Sequence, residues 1–378
     1  MNATGRERQS NTELFRIVAM LMIIGHHFVK HGHYDKIAGA WLPNRLWLHF
    51  LWLLGKIGVD MFIFITGYYM TGGGQAEGQA MDRAFVSKRI TKVLRIALQA
   101  ATYSMLSYIV FCATGMIRFS IFEAIMQALP IAFNHWWYVT TYVMLIIISP
   151  CLNHLIHNTS QSTYLKFLLL LGFIWTGIPL ILDTHYQCAN LVWMSYVYAV
   201  AGYIRIWGHS RRSVWQYLGL AATCVFIMLV LTIIIENLSA THSFFKAHIH
   251  HFDNMRQFPV LLTAVCLFMA FQKMAIPTNR FINSTGALTF GIYLFHEENY
   301  VRKFLWLRLF RRTGLLGRKI MIPYSIAVIL AVFAAGAILE GLRIRFLERY
   351  YARPLERLAD HLAGIWVSDR VKGIAKWI

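Results

Sequence analysis

Several long apolar runs, some of 18 residues or more, recur along this chain, and nothing constrains its fold more. At a rise of ~1.5 Å per residue, roughly 20 apolar residues cross a hydrocarbon layer of ~30 Å as a helix. Ten such spans are read, at about residues 14–32, 46–70, 94–115, 137–153, 165–182, 190–206, 214–235, 258–272, 287–306 and 320–342. Of the 378 residues, 57% are AVILMFWYC and only 14% are charged, with a mean hydropathy of +0.50. Soluble domains average about 25% charged residues, so most of this surface is not wet. An ordinary soluble enzyme, a disordered chain and a disulfide-rich secreted module are excluded. The expected fold is an all-α polytopic membrane protein of about ten transmembrane helices over residues 1–345. A basic amphipathic tail, residues 346–378, follows. In it Leu355, Leu358, Leu362 and Ile365 recur at helical spacing, as in a helix lying on the inner membrane face.

A net charge of +19 in a soluble protein would suggest nucleic acid. Here Lys and Arg flank apolar spans, where they set orientation and meet anionic lipid headgroups, so the expected partner is membrane lipid and no nucleic acid. With the N-terminus inside, 22 of the 36 Lys and Arg fall on inner segments. That distribution predicts both termini cytoplasmic and a multi-pass protein of the cytoplasmic membrane. Seven of the remaining 14 sit between Arg302 and Lys319. This exception reads either as a functional stretch or as a short amphipathic helix on the outer surface. Ala38-Gly39-Ala40 after the first span imitates a signal-peptide cleavage site, but His26, His27 and Lys30 interrupt the pattern, so the first helix is read as retained. The five cysteines, Cys112, Cys151, Cys188, Cys224 and Cys266, show no ligand or disulfide spacing, and no metal is expected.

Ionisable groups are expensive in hydrocarbon, so each one in a span asks for a reason. Arg16 and His27 are eleven residues apart, which is three turns plus about 20° at 100° per residue. They share one face of the first helix, about 16 Å apart along it. A cation at the inner mouth and an imidazole deeper on the same wall suit an anionic substrate with a remote reactive group. A plainer reading pairs Arg16 with Glu13 and has His26 and His27 bond across helices. Lys56 and Asp60, at i and i+4, read as an ion pair, with Asp60 acting on substrate as the sharper alternative. Lys88, Arg89, Lys92 and Arg95 open the third span. Arg95 lies deeper than anchoring needs, which suits a phosphate clamp. His296, Glu297 and Glu298 end the ninth span, where they either orient a sugar hydroxyl or form a plain interface. His135-Trp136-Trp137-Tyr138 reads as an aromatic belt.

Together these residues resemble the membrane-bound acyltransferase family 3, the O-acyltransferases of bacterial surface glycans. The resemblance rests on Arg16-x10-His27 and on Gly58-Val-Asp-Met-Phe-Ile-Phe-Ile-Thr-Gly67-Tyr. It continues with Lys92-Val-Leu-Arg95, Trp137-Tyr138 with Ser149-Pro150, and Gly291-Ile-Tyr-Leu-Phe-His296, in family order over about residues 12–300. It implies acetyl-CoA or another acyl-CoA as donor, with no permanently bound cofactor. The acceptor would be a hydroxyl of a cell-surface polysaccharide or lipid-linked saccharide. His27 is then the catalytic histidine, with His26 beside it and Arg16 as its motif partner. Arg89, Lys92 and Arg95 serve the coenzyme phosphates, and Asp60, His296 and Glu297 the acceptor. Lys92 stands where the family has arginine, keeping charge but losing the bidentate fork. No extracytoplasmic hydrolase-like module is seen, so the acceptor is handed over directly or by a separate protein. The expected chemistry is general-base catalysis by His27. A transporter or flippase of a lipid-linked saccharide is the alternative, although no internal repeat is visible.

Overall fold

The computed structural model describes residues 9–34, 41–72, 82–182, 188–249 and 251–367, and every regular element among them is helical. The chain runs through α1 (Ser10–Gly32), α2 (Leu42–Thr71), α3 (Arg83–Ala113), α4 (Ile121–Ala128), α5 (Trp137–His157) and α6 (Gln161–Gly172). A π turn joins α6 to α7 (Ile178–Leu182). Then follow α8 (Asn190–Trp207), α9 (Val214–Leu238), α10 (Ser243–Ala247), α11 (Phe258–Lys273), α12 (Arg280–Glu297), α13 (Asn299–Lys303), α14 (Met321–Arg343) and α15 (Arg349–Val367). Arg6, Arg8, Ala38-Gly39-Ala40 and the tail beyond Val367, with Arg370, Lys372 and Lys376, lie outside the described residues.

Seven helical segments are long and apolar enough to cross a membrane: Ser10–Gly32, Leu42–Thr71, Arg83–Ala113, Trp137–His157, Gln161–Leu182, Val214–Leu238 and Met321–Val367. The other three expected spans are helices too, but α11 is only 16 residues, about 24 Å long. The ninth span, read as 287–306, is displaced. Its helix begins at Arg280 and stops at Glu297, because Glu298 turns out of the helix (ψ 138°). The Glu298 carboxylate then accepts from the Tyr300 and Val301 amides and starts α13.

α1 sits against α2, α11, α12 and α14, and α2 also packs on α8 and α11. The glycine pair of the second span explains this close approach. A Cβ on Gly58 would come 2.9 Å from the Ala19 carbonyl oxygen on α1, and one on Gly67 would come 2.7 Å from that of Tyr198 on α8. The basic stretch from Arg302 to Lys319 is no free surface helix. Leu305 and Trp306 are buried, Arg311 donates to the Gly32 carbonyl, and Asn44 donates to the carbonyls of Leu316 and Arg318. It is a cap folded over one end of α1 and α2.

The boundary expected at residue 345 falls inside a continuous helical path, since a π turn at Ile344–Glu348 carries α14 into α15. The path has 47 residues, about 70 Å, more than twice the hydrocarbon thickness, so it cannot all lie in the membrane. Arg83 bonds Asp360 and Arg95 bonds Glu356, so α15 lies along α3. Leu355 faces inward with Ala359 and Ala363, while Leu358 and Ile365 stay exposed.

Candidate active site

A cavity of about 310 Å³ opens between α1, α2, α3, α5 and α12. Arg16, Lys92 and Arg95 line one end. His26, His27, Lys30 and Lys56 line the other, with Tyr138, Tyr142 and Tyr293 among the walls. The single face of α1 read from the Arg16–His27 spacing is therefore a cavity wall. Trp137 and Tyr138, expected in an aromatic belt, also face this cavity, and Trp136 is buried.

The hydrogen bonds behind His27 fix its tautomer. His296 is fully buried, and its Nδ1 lies 2.6 Å from the Ile292 carbonyl oxygen. A carbonyl only accepts, so His296 carries its proton on Nδ1 and its Nε2 is an acceptor. His27 Nδ1, 2.9 Å from that Nε2, must then be the donor. This leaves His27 Nε2 as an unprotonated nitrogen. Glu297 extends the network: its Oε1 is 3.4 Å from His27 Nδ1 and 2.5 Å from His31 Nε2, and its Oε2 accepts from Arg302 at 3.2 Å. Thus His296 and Glu297 stand behind the imidazole, away from the cavity lining. His31 and Arg302 were not expected here, although His27 and His31 at i and i+4 share a helix face. His27, His31 and Glu297 also bring three ligand-type atoms within 4.8 Å of one another, a grouping that cysteine and histidine spacing did not foretell. Within it, His31 and Glu297 are hydrogen-bonded to each other, while His27 Nδ1 is bonded to His296.

Other expected site residues are placed elsewhere. His26 lines the cavity but is 4% exposed, with Nδ1 2.7 Å from the Trp52 carbonyl, so it joins α1 to α2. Asp60 is fully buried, accepts from Trp193 Nε1 at 3.0 Å and does not reach the cavity. The Lys56–Asp60 pair is not formed: Asp60 turns to α8 while Lys56 lines the cavity. Arg89 also stays out of the cavity lining. Pro150 inside α5 has no N–H, which frees the Ile146 carbonyl. Arg89 Nη1 donates to that oxygen at 3.0 Å and to Ser149 Oγ at 2.5 Å. The Ser149-Pro150 motif thereby locks α3 to α5. Arg16 lies 3.8 Å from Glu13 and also lines the cavity. Lys92 Nζ lies 5.6 Å from the Tyr142 ring centre, and Arg95 bonds Glu356 while lining the cavity.

The family model described as an acyltransferase domain, family 3, matches residues 10–340. The chain belongs to this family. No curated protein and no solved structure matches it. The acyltransferase assignment spans both the cavity and the histidine network behind it, and residues 341–378 lie beyond it.

Proposed function

We propose that this acyltransferase moves an acyl group, acetyl in the expected case, from acyl-CoA to a hydroxyl of a cell-surface or lipid-linked saccharide. The observation that carries the reading is one cavity with guanidinium and ammonium groups at one end and His27 about 16 Å away along α1. Arg16, Lys92 and Arg95 hold the coenzyme phosphates, and the extended pantetheine arm brings the thioester to His27. In this reading the Arg16 end faces the cytoplasm, where acyl-CoA is made, and the protein sits in the cytoplasmic membrane.

His27 Nε2 takes the proton of the acceptor hydroxyl as its oxygen attacks the thioester carbonyl. The new C–O bond forms, the C–S bond breaks, and the leaving thiolate recovers the proton from the imidazolium. Glu297, at 3.4 Å from Nδ1, offsets the charge that His27 carries in between. Membranes containing the protein, given labelled acetyl-CoA, are expected to place label on extracted saccharide. Transport of unacylated saccharide with no label transferred would instead support a flippase.

His296 is a positioning residue in this scheme. His296→Leu, which cannot accept from His27, is expected to lower kcat about 10- to 100-fold with the KM for acyl-CoA unchanged. His296→Gln, whose amide oxygen can accept, should recover part of the loss. Nitrogen-15 spectra of labelled histidine should show the Nδ1-protonated form of His27 in the native protein and lose it in His296→Leu. A native spectrum showing His27 protonated at Nε2 alone would refute the arrangement.

A further inference from the structure

The cavity carries cations at two levels. Arg16, Lys92 and Arg95 form one, and Lys30 and Lys56 form the other, near His27. Among the described residues, no Asp or Glu lines it. Acyl-CoA explains the first level only: its phosphates lie at the Arg16 end and its chain reaches His27 with the thioester. What meets His27 from the other side is the acceptor, and Lys30 and Lys56 stand there.

Lys56 belongs to the middle of α2, and its expected partner Asp60 is taken by Trp193. Among the described residues Lys56 makes no hydrogen bond or ion pair. Its ammonium lies 5.6 Å from the Trp52 ring centre, and the field of Asp253 acts on it without ion-pair contact. An ammonium inside a membrane protein generally faces a bundle interior or a wet cavity and finds a counter-charge there. Lys30, one turn beyond His27 on α1, adds a second positive charge to the same end and repels Lys56. Two neighbouring cations, with no carboxylate among the described residues lining their cavity, are complementary to an anion.

We propose that Lys30 and Lys56 form an anion subsite for the acceptor, so that the saccharide acylated is acidic, with a carboxylate or phosphate near the reacting hydroxyl. The proposal rests on the acyl-transfer reading above and names the acceptor class for that site.

The test uses full-length protein in membranes with labelled acetyl-CoA and the saccharide pool of those membranes. Labelled product is passed over an anion exchanger before and after mild acid, which releases saccharide from a phosphate-linked lipid. Retention both times identifies an acid group on the saccharide itself, and retention only before acid identifies the linker phosphate. Flow-through both times means a neutral acceptor and overturns the proposal. If no saccharide is labelled at all, acyl transfer itself is refuted, a result distinguishable from a neutral product. In a second arm, Lys56→Gln is expected to raise the acceptor KM about tenfold, with kcat and the acyl-CoA KM within about twofold. Lys56→Arg should restore the acceptor KM, and Lys30→Gln, on another helix, should raise it independently of any folding fault in Lys56→Gln. A fall in kcat at saturating acceptor with the acceptor KM unchanged would make Lys56 an electrophile at the thioester and overturn the subsite.

Discussion

Replacing His27 with Ala is expected to reduce acyl transfer about 10³-fold, within the range general-base catalysis supplies. His27 is the group through which the cavity meets the buried network: Nδ1 is engaged by His296, and Nε2 is left to take a proton. Truncation removes the proposed base and leaves the Arg16 end of the cavity untouched, so the KM for acyl-CoA should hold. Thermal unfolding in detergent checks that the fold survives the loss of the bond from His27 Nδ1 to His296, which joins α1 to α12. Label transfer that persisted in folded His27→Ala protein would remove the imidazole from the mechanism. His26→Ala offers a contrast: it cuts a bond to the Trp52 carbonyl and should show first as lost stability.

The largest expected stability effect lies far from His27 in sequence. Glu340 is 2% exposed and its carboxylate is fully occupied. It accepts from Arg343 Nε and Nη2, each at 2.8 Å, and from Gln99 Nε2 and the Tyr103 hydroxyl, each at 2.9 Å. These bonds tie α14 to α3, the helix that carries Lys92 and Arg95. Glu340→Ala would leave the buried Arg343 guanidinium with Glu348 and Tyr351 as its remaining partners. The expected loss is about 3–5 kcal/mol, the magnitude for removing one member of a buried charge pair. It would be read as a large fall in the unfolding midpoint of detergent-solubilised protein. Replacing Glu340 and Arg343 together with Leu should be milder, since no buried guanidinium then loses its main counter-charge, and Glu348, partly exposed, keeps contact with water. A double variant as unstable as the single one would show that packing, and not the stranded charge, sets the cost.

How much of the site was legible follows from the range of each interaction. The Arg16–His27 face could be read because both residues lie on one helix, whose geometry is known in advance. The family motifs were also readable, but several of their roles were not. Arg89 looked like a third phosphate ligand until Pro150, sixty-one residues later, turned out to free the carbonyl that holds it. His296 and Glu297 read as acceptor-binding groups or a plain interface, since nothing local says that α12 brings them behind His27. Asp60 and Lys56 satisfied the spacing for an ion pair, yet a tryptophan on α8 takes the carboxylate.

The amino-acid sequence by itself determined an all-helical chain with membrane-spanning helices, the shared face of Arg16 and His27, and the acyltransferase family. These depend on apolar run length, on helical periodicity and on motif order, all of which are local along the chain. Only the tertiary structure decided which ring nitrogen of His27 is free, which cations reach the cavity, and where the ninth helix ends. Those outcomes depend on contacts between helices distant in sequence, where the competition for each hydrogen bond is settled by packing.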